Sequence, residues 1–302
     1  MIAPSDRAPR TRASYADEVR LHLVPALGNI PLSKLNPQHV QAFVNQQRKQ
    51  GYSRRSIQYR HAILRRALAD AERWGLVSRN VARLVTNAKA RPDPARVHGL
   101  TAEEVRRLLA VARQDRFYAL LLVTATVGLR RGEVLGLRWQ DLDLGRGTLR
   151  VEQTVQRVPR RGLVVTKLPK NSASRRTNEL ATQVVDVLRD HRRIQMRARL
   201  RAGSNWQDND LVFPSLVGTP VEPRNLNRHL HALCKRAGLP PERFHNLRHT
   251  AASIAYAEGL DSKMVQDMLG HASYRTTADI YTHLEPGLRR EAAQRIADAV
   301  IG

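Results

Sequence analysis

Apolar residues recur at three- and four-residue spacing through most of the chain, and most runs carry a start and a stop signal. Ser14 to Val24 predicts a first helix, stopped by Pro25. Asn36-Pro37 supplies a cap followed by a proline at the first helical position; that helix runs to Gln50 and ends at Gly51. Ser53 caps a longer helix with Ile57, Leu64, Leu68 and Ala71 on its apolar side and Gly75 at its end. Asn80 opens a short fourth helix. The first part of the chain therefore reads as a small all-helical unit.

Thr86 to Gly99 breaks the pattern. It holds Pro92 and Pro94 with Lys89, Arg91 and Arg96, a composition that predicts an extended basic connector. Thr101 with Glu104 three residues on is a capping-box signature, and helices follow to Val127. From Gly147 to Arg157 the spacing changes to alternation, with Leu149, Val151 and Val155 apolar. With Leu163 to Lys167 and Arg175 to Leu180 it predicts a three-stranded antiparallel sheet. From Ala181 the chain is again mainly helical, with Phe213-Pro214 marking a turn. The fold class is mainly α with a small antiparallel β-sheet. The expected domains are 1–86, a basic linker 87–99, and 100–302 with a C-terminal tail helix.

Composition narrows the partner. A hydrophobic content of 42% in 302 residues suits a two-domain globular protein, but a formal net charge of +24 calls for a polyanion, and nucleic acid is the first candidate. Most of that charge is arginine, whose guanidinium forks onto phosphate oxygens. Arg54, Arg55, Arg60, Arg65 and Arg66 are expected on the exposed side of the Ser53 helix. With Lys89, Arg91 and Arg96 of the linker, Arg54, Arg55 and Arg60 are candidate DNA contacts. The single cysteine, Cys234, lies in an apolar helical stretch and reads as a core residue, in keeping with a reducing cytoplasm. The longest apolar stretch, Phe117 to Leu129, is shorter than the roughly 20 residues a membrane span needs. The N-terminus lacks a signal peptide's apolar core. A soluble cytoplasmic protein is expected.

Five segments carry candidate chemistry in order: Gly128-Leu129-Arg130-Arg131-Gly132-Glu133, Pro169-Lys170-Asn171, His245-Asn246-Leu247-Arg248-His249, Leu269-Gly270-His271 and Asp279-Ile280-Tyr281-Thr282-His283. Together they hold two guanidiniums for a phosphate, proton donors for a leaving oxygen, and a phenol to attack phosphorus. No metal or other cofactor is needed for that chemistry. Glu133, one helical turn after Arg130, can orient or neutralise a guanidinium. His245 and Arg248 share a helix face. His245 and His249 are spaced as two zinc ligands would be, but no zinc-protease glutamate and no cysteine or carboxylate cluster accompanies them.

The order and wording of these segments resemble the tyrosine recombinase (phage integrase) family, over nearly the whole chain from about Arg12 onward. The resemblance implies a helical core-binding domain and a mixed catalytic domain clamped around DNA. It assigns catalytic roles to Arg130, Lys170, His245, Arg248, His271 and Tyr281. It also implies attack by Tyr281, leaving a 3′-phosphotyrosine and a free 5′-hydroxyl. Lys167 is the rival to Lys170, and Glu179 stands where the family's strand usually has proline. Many phage integrases carry a further N-terminal arm-binding domain; this sequence is expected to lack it. Double-stranded DNA carrying attachment or recombination sites is the implied partner, with a homo-tetramer on DNA and a monomer in solution, and with room for accessory DNA-bending or directionality factors. Leu288, Ala292, Ile296 and Ala299 mark an apolar stripe after a Pro286-Gly287 hinge; it packs either on its own domain or on a neighbouring protomer. Two other readings stay open: a type IB topoisomerase-like enzyme and an inactive architectural DNA-binding protein.

Overall fold

The computed structural model describes residues 9–85, 99–169 and 174–270. The linker residues Lys89, Arg91 and Arg96, the loop residue Lys170, and everything from His271 onward, including Tyr281 and the tail stripe, lie outside the described residues. The chain divides into two compact units, residues 1–93 with 158–162, and residues 94–157 with 163–302.

The first unit is helical. It contains α1 (Pro9–Glu18), a π-helical turn (Val19–Leu23), α2 (Val24–Leu27), α3 (Pro37–Lys49), α4 (Arg54–Arg73) and a 3₁₀ turn (Val81–Leu84). Pro25 does not stop the first helix. The Val24 N–H reaches back five residues to Val19 O, and this wider turn restarts the helix with Pro25 in its first turn, where a missing N–H costs nothing. Caps fix the other starts. Asn36 Oδ1 accepts from the His39 N–H at 3.1 Å, and Ser53 Oγ accepts from the Ser56 N–H at 3.1 Å. Val40, Phe43, Val44, Ile57, Ile63, Leu64 and Leu68 form the core.

Arg60 departs from expectation. Placed on the exposed side by sequence, it is 5% exposed. Its Nε donates to Glu18 Oε2 at 2.8 Å, its Nη2 lies 2.8 Å from His22 Nε2, and Gln47 Oε1 accepts from Nη1. The guanidinium also stacks over the Tyr52 ring at 4.1 Å. Arg60 is thus a core tie between helices rather than an exposed DNA contact, whereas Arg54, Arg55, Arg65 and Arg66 are exposed.

In the second unit, α5 (Ala102–Ala112) begins at the Thr101–Glu104 capping box. Next comes α6 (Tyr118–Val127), apolar nearly all round and buried accordingly. It is followed by α7 (Arg131–Leu135), β1 (Leu142–Asp143), β2 (Thr148–Val151), β3 (Gln153–Val158), β4 (Gly162–Lys167) and β5 (Arg176–Glu179). Among the described residues four helices follow: α8 (Thr182–Ala202), α9 (Pro223–Arg236), α10 (Phe244–Ala257) and α11 (Ser262–Leu269). Cys234 is buried on α9.

The sheet differs from the predicted one. Among the described residues there are two: β1-β2-β5, and a separate β3-β4 hairpin. The stretch expected as one strand breaks at Glu152, whose carbonyl accepts from the Leu168 N–H at 2.8 Å. Burial still alternates through Leu149, Val151, Gln153 and Val155, so the inward-outward pattern runs across the break, with only the polar Gln153 to mark the change of partner. β2 pairs β5 antiparallel with Leu149 opposite Asn178 and Val151 opposite Arg176. That register puts Arg176 and Asn178 on one face of β5.

Candidate active site

The turn between α6 and α7 is built by its glycines. Gly128 has φ +70°, and a Cβ there would come within 2.4 Å of Leu269 Cδ2. A Cβ on Gly132 would meet Thr154 Oγ1 at 2.3 Å, so α7 lies against β3 as closely as backbone allows. Arg130 is the N-cap of α7. Its backbone N–H donates to Glu133 Oε2 at 2.9 Å and its Nη1 to Glu133 Oε1 at 2.7 Å. Its Nη2 donates to the Gly270 carbonyl at 2.8 Å.

Arg248, on α10, is 2% exposed. Its Nη1 donates to Gly128 O and its Nη2 to Leu269 O, both at 2.7 Å. Burial first, then the neighbouring Arg130, pushes its pKa down to about 9. It nonetheless remains charged at neutral pH. The last carbonyls of α11, which a helix leaves without intrahelical partners, thus receive guanidinium groups from two other elements. The anchors are neutral carbonyls, so neither arginine's charge is cancelled there.

Two residues the sequence reading passed over complete the cluster. Arg176 Nε and Asn178 Nδ2 both donate to Met268 O at 2.8 Å, and Arg176 Nη2 donates to Glu133 Oε2 at 3.0 Å. Alternation along β5 put both on one face, but only the register with β2 shows which face. Burial raises the Glu133 pKa, but Arg176 and then Arg130 outweigh it, and the carboxyl is held below its ordinary value. Two guanidiniums, those of Arg130 and Arg176, meet one carboxylate, and the third, that of Arg248, is held by carbonyls alone.

His245 lies one turn before Arg248 at the start of α10, its ring 4.9 Å from that of His249 and nearly perpendicular to it. Its pKa is pushed down to about 4, by burial first and then by His249, Arg248, Arg130 and Arg131. The residue is open to solvent, so the positive neighbours are the firmer cause of that direction. His245 is therefore a neutral imidazole at pH 7, able to accept a proton. Among the described residues no group of three His, Cys, Asp or Glu side chains could hold a metal ion. The structure thus brings Arg130, Glu133, His245 and Arg248 into one cluster. Lys167, the alternative lysine, ends β4.

Comparison with known proteins gives the family. Residues 98–287 match the phage integrase family, and residues 5–47 match the phage integrase N-terminal SAM-like domain. A tyrosine recombinase XerC-like protein of Caldanaerobacter subterraneus subsp. tengcongensis is 27% identical, covering 99% of this chain and 81% of that protein. An integrase of Streptomyces ambofaciens is 30% identical, covering 91% of this chain and 71% of that protein. In fold, the chain is similar to the Tn1549 transposon integrase in complex with transposon right end DNA. The TM-score is 0.80 at 18% identity, covering 99% of this chain and 96% of that one. The chain belongs to the phage integrase family and is a tyrosine recombinase.

Proposed function

We propose that this protein is a site-specific DNA recombinase that cuts and rejoins strands to integrate or excise a phage or other mobile element. One observation carries the reading most directly. Arg130 and Arg248, far apart in sequence, converge on the adjacent carbonyls of Gly270 and Leu269, immediately before His271 in the chain. Two cations held side by side, Arg248 by carbonyls alone and Arg130 by a carbonyl and the Glu133 carboxylate that it shares with Arg176, suit the two non-bridging oxygens of a phosphodiester, whose pentacoordinate transition state carries more negative charge than the ground state.

In this reading the phenolic oxygen of Tyr281 attacks phosphorus and the bond to the 5′ oxygen breaks. The phenol's proton passes to an acceptor; His245 is neutral and becomes basic enough for it as the phosphate's negative charge offsets the guanidiniums around it. Lys170 protonates the departing 5′ oxygen, and His271 donates a hydrogen bond to the phosphate. The products are a 3′-phosphotyrosine and a free 5′-hydroxyl. Attack by a 5′-hydroxyl from a second duplex reverses the step and joins the strands without ATP. The first helical unit serves as a core-binding domain, with Arg54 and Arg55 and the linker residues Lys89, Arg91 and Arg96 on phosphates. A homo-tetramer on DNA performs the exchange in the cytoplasm, with accessory factors as further partners. No helix among the described residues is long and apolar enough to cross a membrane.

Covalent capture tests the proposal. A nicked duplex, selected by the protein from a randomised pool, traps the adduct because the released strand diffuses away. Wild-type protein should form it, and Tyr281→Phe should bind the same duplex but form none. An adduct from the Phe variant would sink the nucleophile assignment.

A further inference from the structure

Arg176 sits where the candidate site needs a mechanical and an electrical connection. Its side chain is 7% exposed, too buried to serve as a surface contact to DNA. Each of its three nitrogens goes to a different part of the site. Nε donates to Met268 O at the end of α11, Nη2 to the Glu133 carboxylate, and Nη1 to Ser174 O at 3.1 Å, at the C-terminal edge of the segment that holds Lys170 in sequence. Asn178, two residues along the same face of β5, fills the second lone pair of Met268 O. A lysine could not reproduce this, because an ammonium is a point charge and the planar guanidinium is a fork.

Charge gives the second half of the argument. Glu133 accepts from Arg130 at 2.7 Å and from Arg176 at 3.0 Å. Were Arg176 neutral, the whole countercharge of Glu133 would fall on Arg130. With Arg176 present, the carboxylate is matched by a cation that never faces substrate. Two formal positive charges, those of Arg130 and Arg248, then remain for a transition state that gathers a second negative charge.

We propose that Arg176 is a positioning residue for strand cleavage. It ties the end of α11, Glu133 and Ser174 into one unit, and it balances Glu133 so that the charge of Arg130 stays available to the scissile phosphate. The inference rests on reading the site as a phosphodiester-cleaving centre.

The test uses the full chain and the nicked duplex selected by wild-type protein. Arg176→Gln should slow single-turnover cleavage by roughly 10² and change the DNA dissociation constant by less than about threefold, the signature of an interaction spent in the transition state. A neutral methylphosphonate at the scissile position removes the charge that Arg130 must meet. On that substrate the gap between wild type and Arg176→Gln should shrink by about tenfold or more. A merely structural defect would slow both substrates by the same factor, and that result would overturn the proposal. Arg176→Lys keeps the charge and loses the fork, so it carries the test if the Gln variant does not fold. It should cleave about tenfold more slowly than wild type with unchanged DNA affinity, and cleavage at the wild-type rate would also overturn the proposal. Failure of wild-type protein to form any adduct would bring down the cleavage reading itself. An adduct from wild type with an undiminished Arg176 variant would bring down this inference alone.

Discussion

The two units each bury arginine, and they treat its charge in opposite ways. In the helical unit Arg60 meets the Glu18 carboxylate, with Gln47, His22 and the Tyr52 ring around it. One cation is matched by one anion, and the pair fastens α1 and its π-turn to α4. In the other unit Arg130 and Arg176 share a single carboxylate, Glu133, and Arg248 pairs with none; the three take their remaining acceptors from the carbonyls of Gly128, Met268, Leu269 and Gly270 and from Ser174. Carbonyls orient a guanidinium without neutralising it. A buried cation surrounded by dipoles rather than by anions is held ready for an anion that is not part of the chain. Burial alone distinguishes nothing here; the deficit of countercharge does.

Substitution at the two sites should therefore fail in different ways. Arg248→Gln removes a cation from the unbalanced cluster, and single-turnover cleavage should fall by about 10²–10³, the usual loss for one transition-state donor. Affinity for the selected duplex should change by less than about tenfold, since one contact among many is lost. Cleavage within about threefold of wild type would mean that the surplus charge at this cluster does not serve the phosphate.

The balanced site makes the converse case. Arg60→Met removes the guanidinium from Glu18 and leaves it, among the described residues, only His22, 3.7 Å away. Losing one partner of a buried pair costs about 3–5 kcal/mol, and the lower end applies because Glu18 stays 25% exposed. Chemical denaturation should show that loss, while folded Arg60→Met should cleave the selected duplex at close to the wild-type rate. A large cleavage defect in a folded, stable variant would contradict the contrast.

How far this contrast could be read without the structure depends on which interactions are local. The caps were legible because they lie within a turn: Asn36 with His39, Ser53 with Ser56, Thr101 with Glu104. The glycines around Arg130 were legible as a motif, but their reasons, Leu269 and Thr154, lie far away in sequence. Arg60 could have been placed inward, since it falls three residues after Ile57 and four before Leu64 on the buried stripe. Its chemistry argued for the surface, and its partners Glu18, His22 and Gln47 belong to other elements. Arg176 was hidden for a similar reason. A strand shows which residues share a face, but pairing decides whether that face meets solvent or the carbonyl end of α11. The break at Glu152 left the alternation of burial intact, and its one trace in the sequence is polar Gln153 at an inward position, where its side chain donates to Gly136 O.

A third class of arginine gives the smallest and most discriminating expectation. Arg54 and Arg55 open α4 on its exposed side, six and five residues before buried Arg60 on the same helix. No hydrogen bond or ion pair among the described residues fixes either guanidinium, and their removal should leave stability within about 0.5 kcal/mol. If they meet DNA, they do so as counterion-releasing phosphate contacts. Each then contributes about 0.9 to the slope of log affinity against log salt. Arg54→Ala with Arg55→Ala should therefore flatten that slope by close to two and weaken binding at every sequence alike, because phosphate contacts carry no base information. Fluorescence anisotropy across a salt series measures the slope directly. An unchanged slope would remove both residues from the interface. A slope changed by Arg60→Met but not by this pair would reverse the assignment of inner and outer arginines on α4.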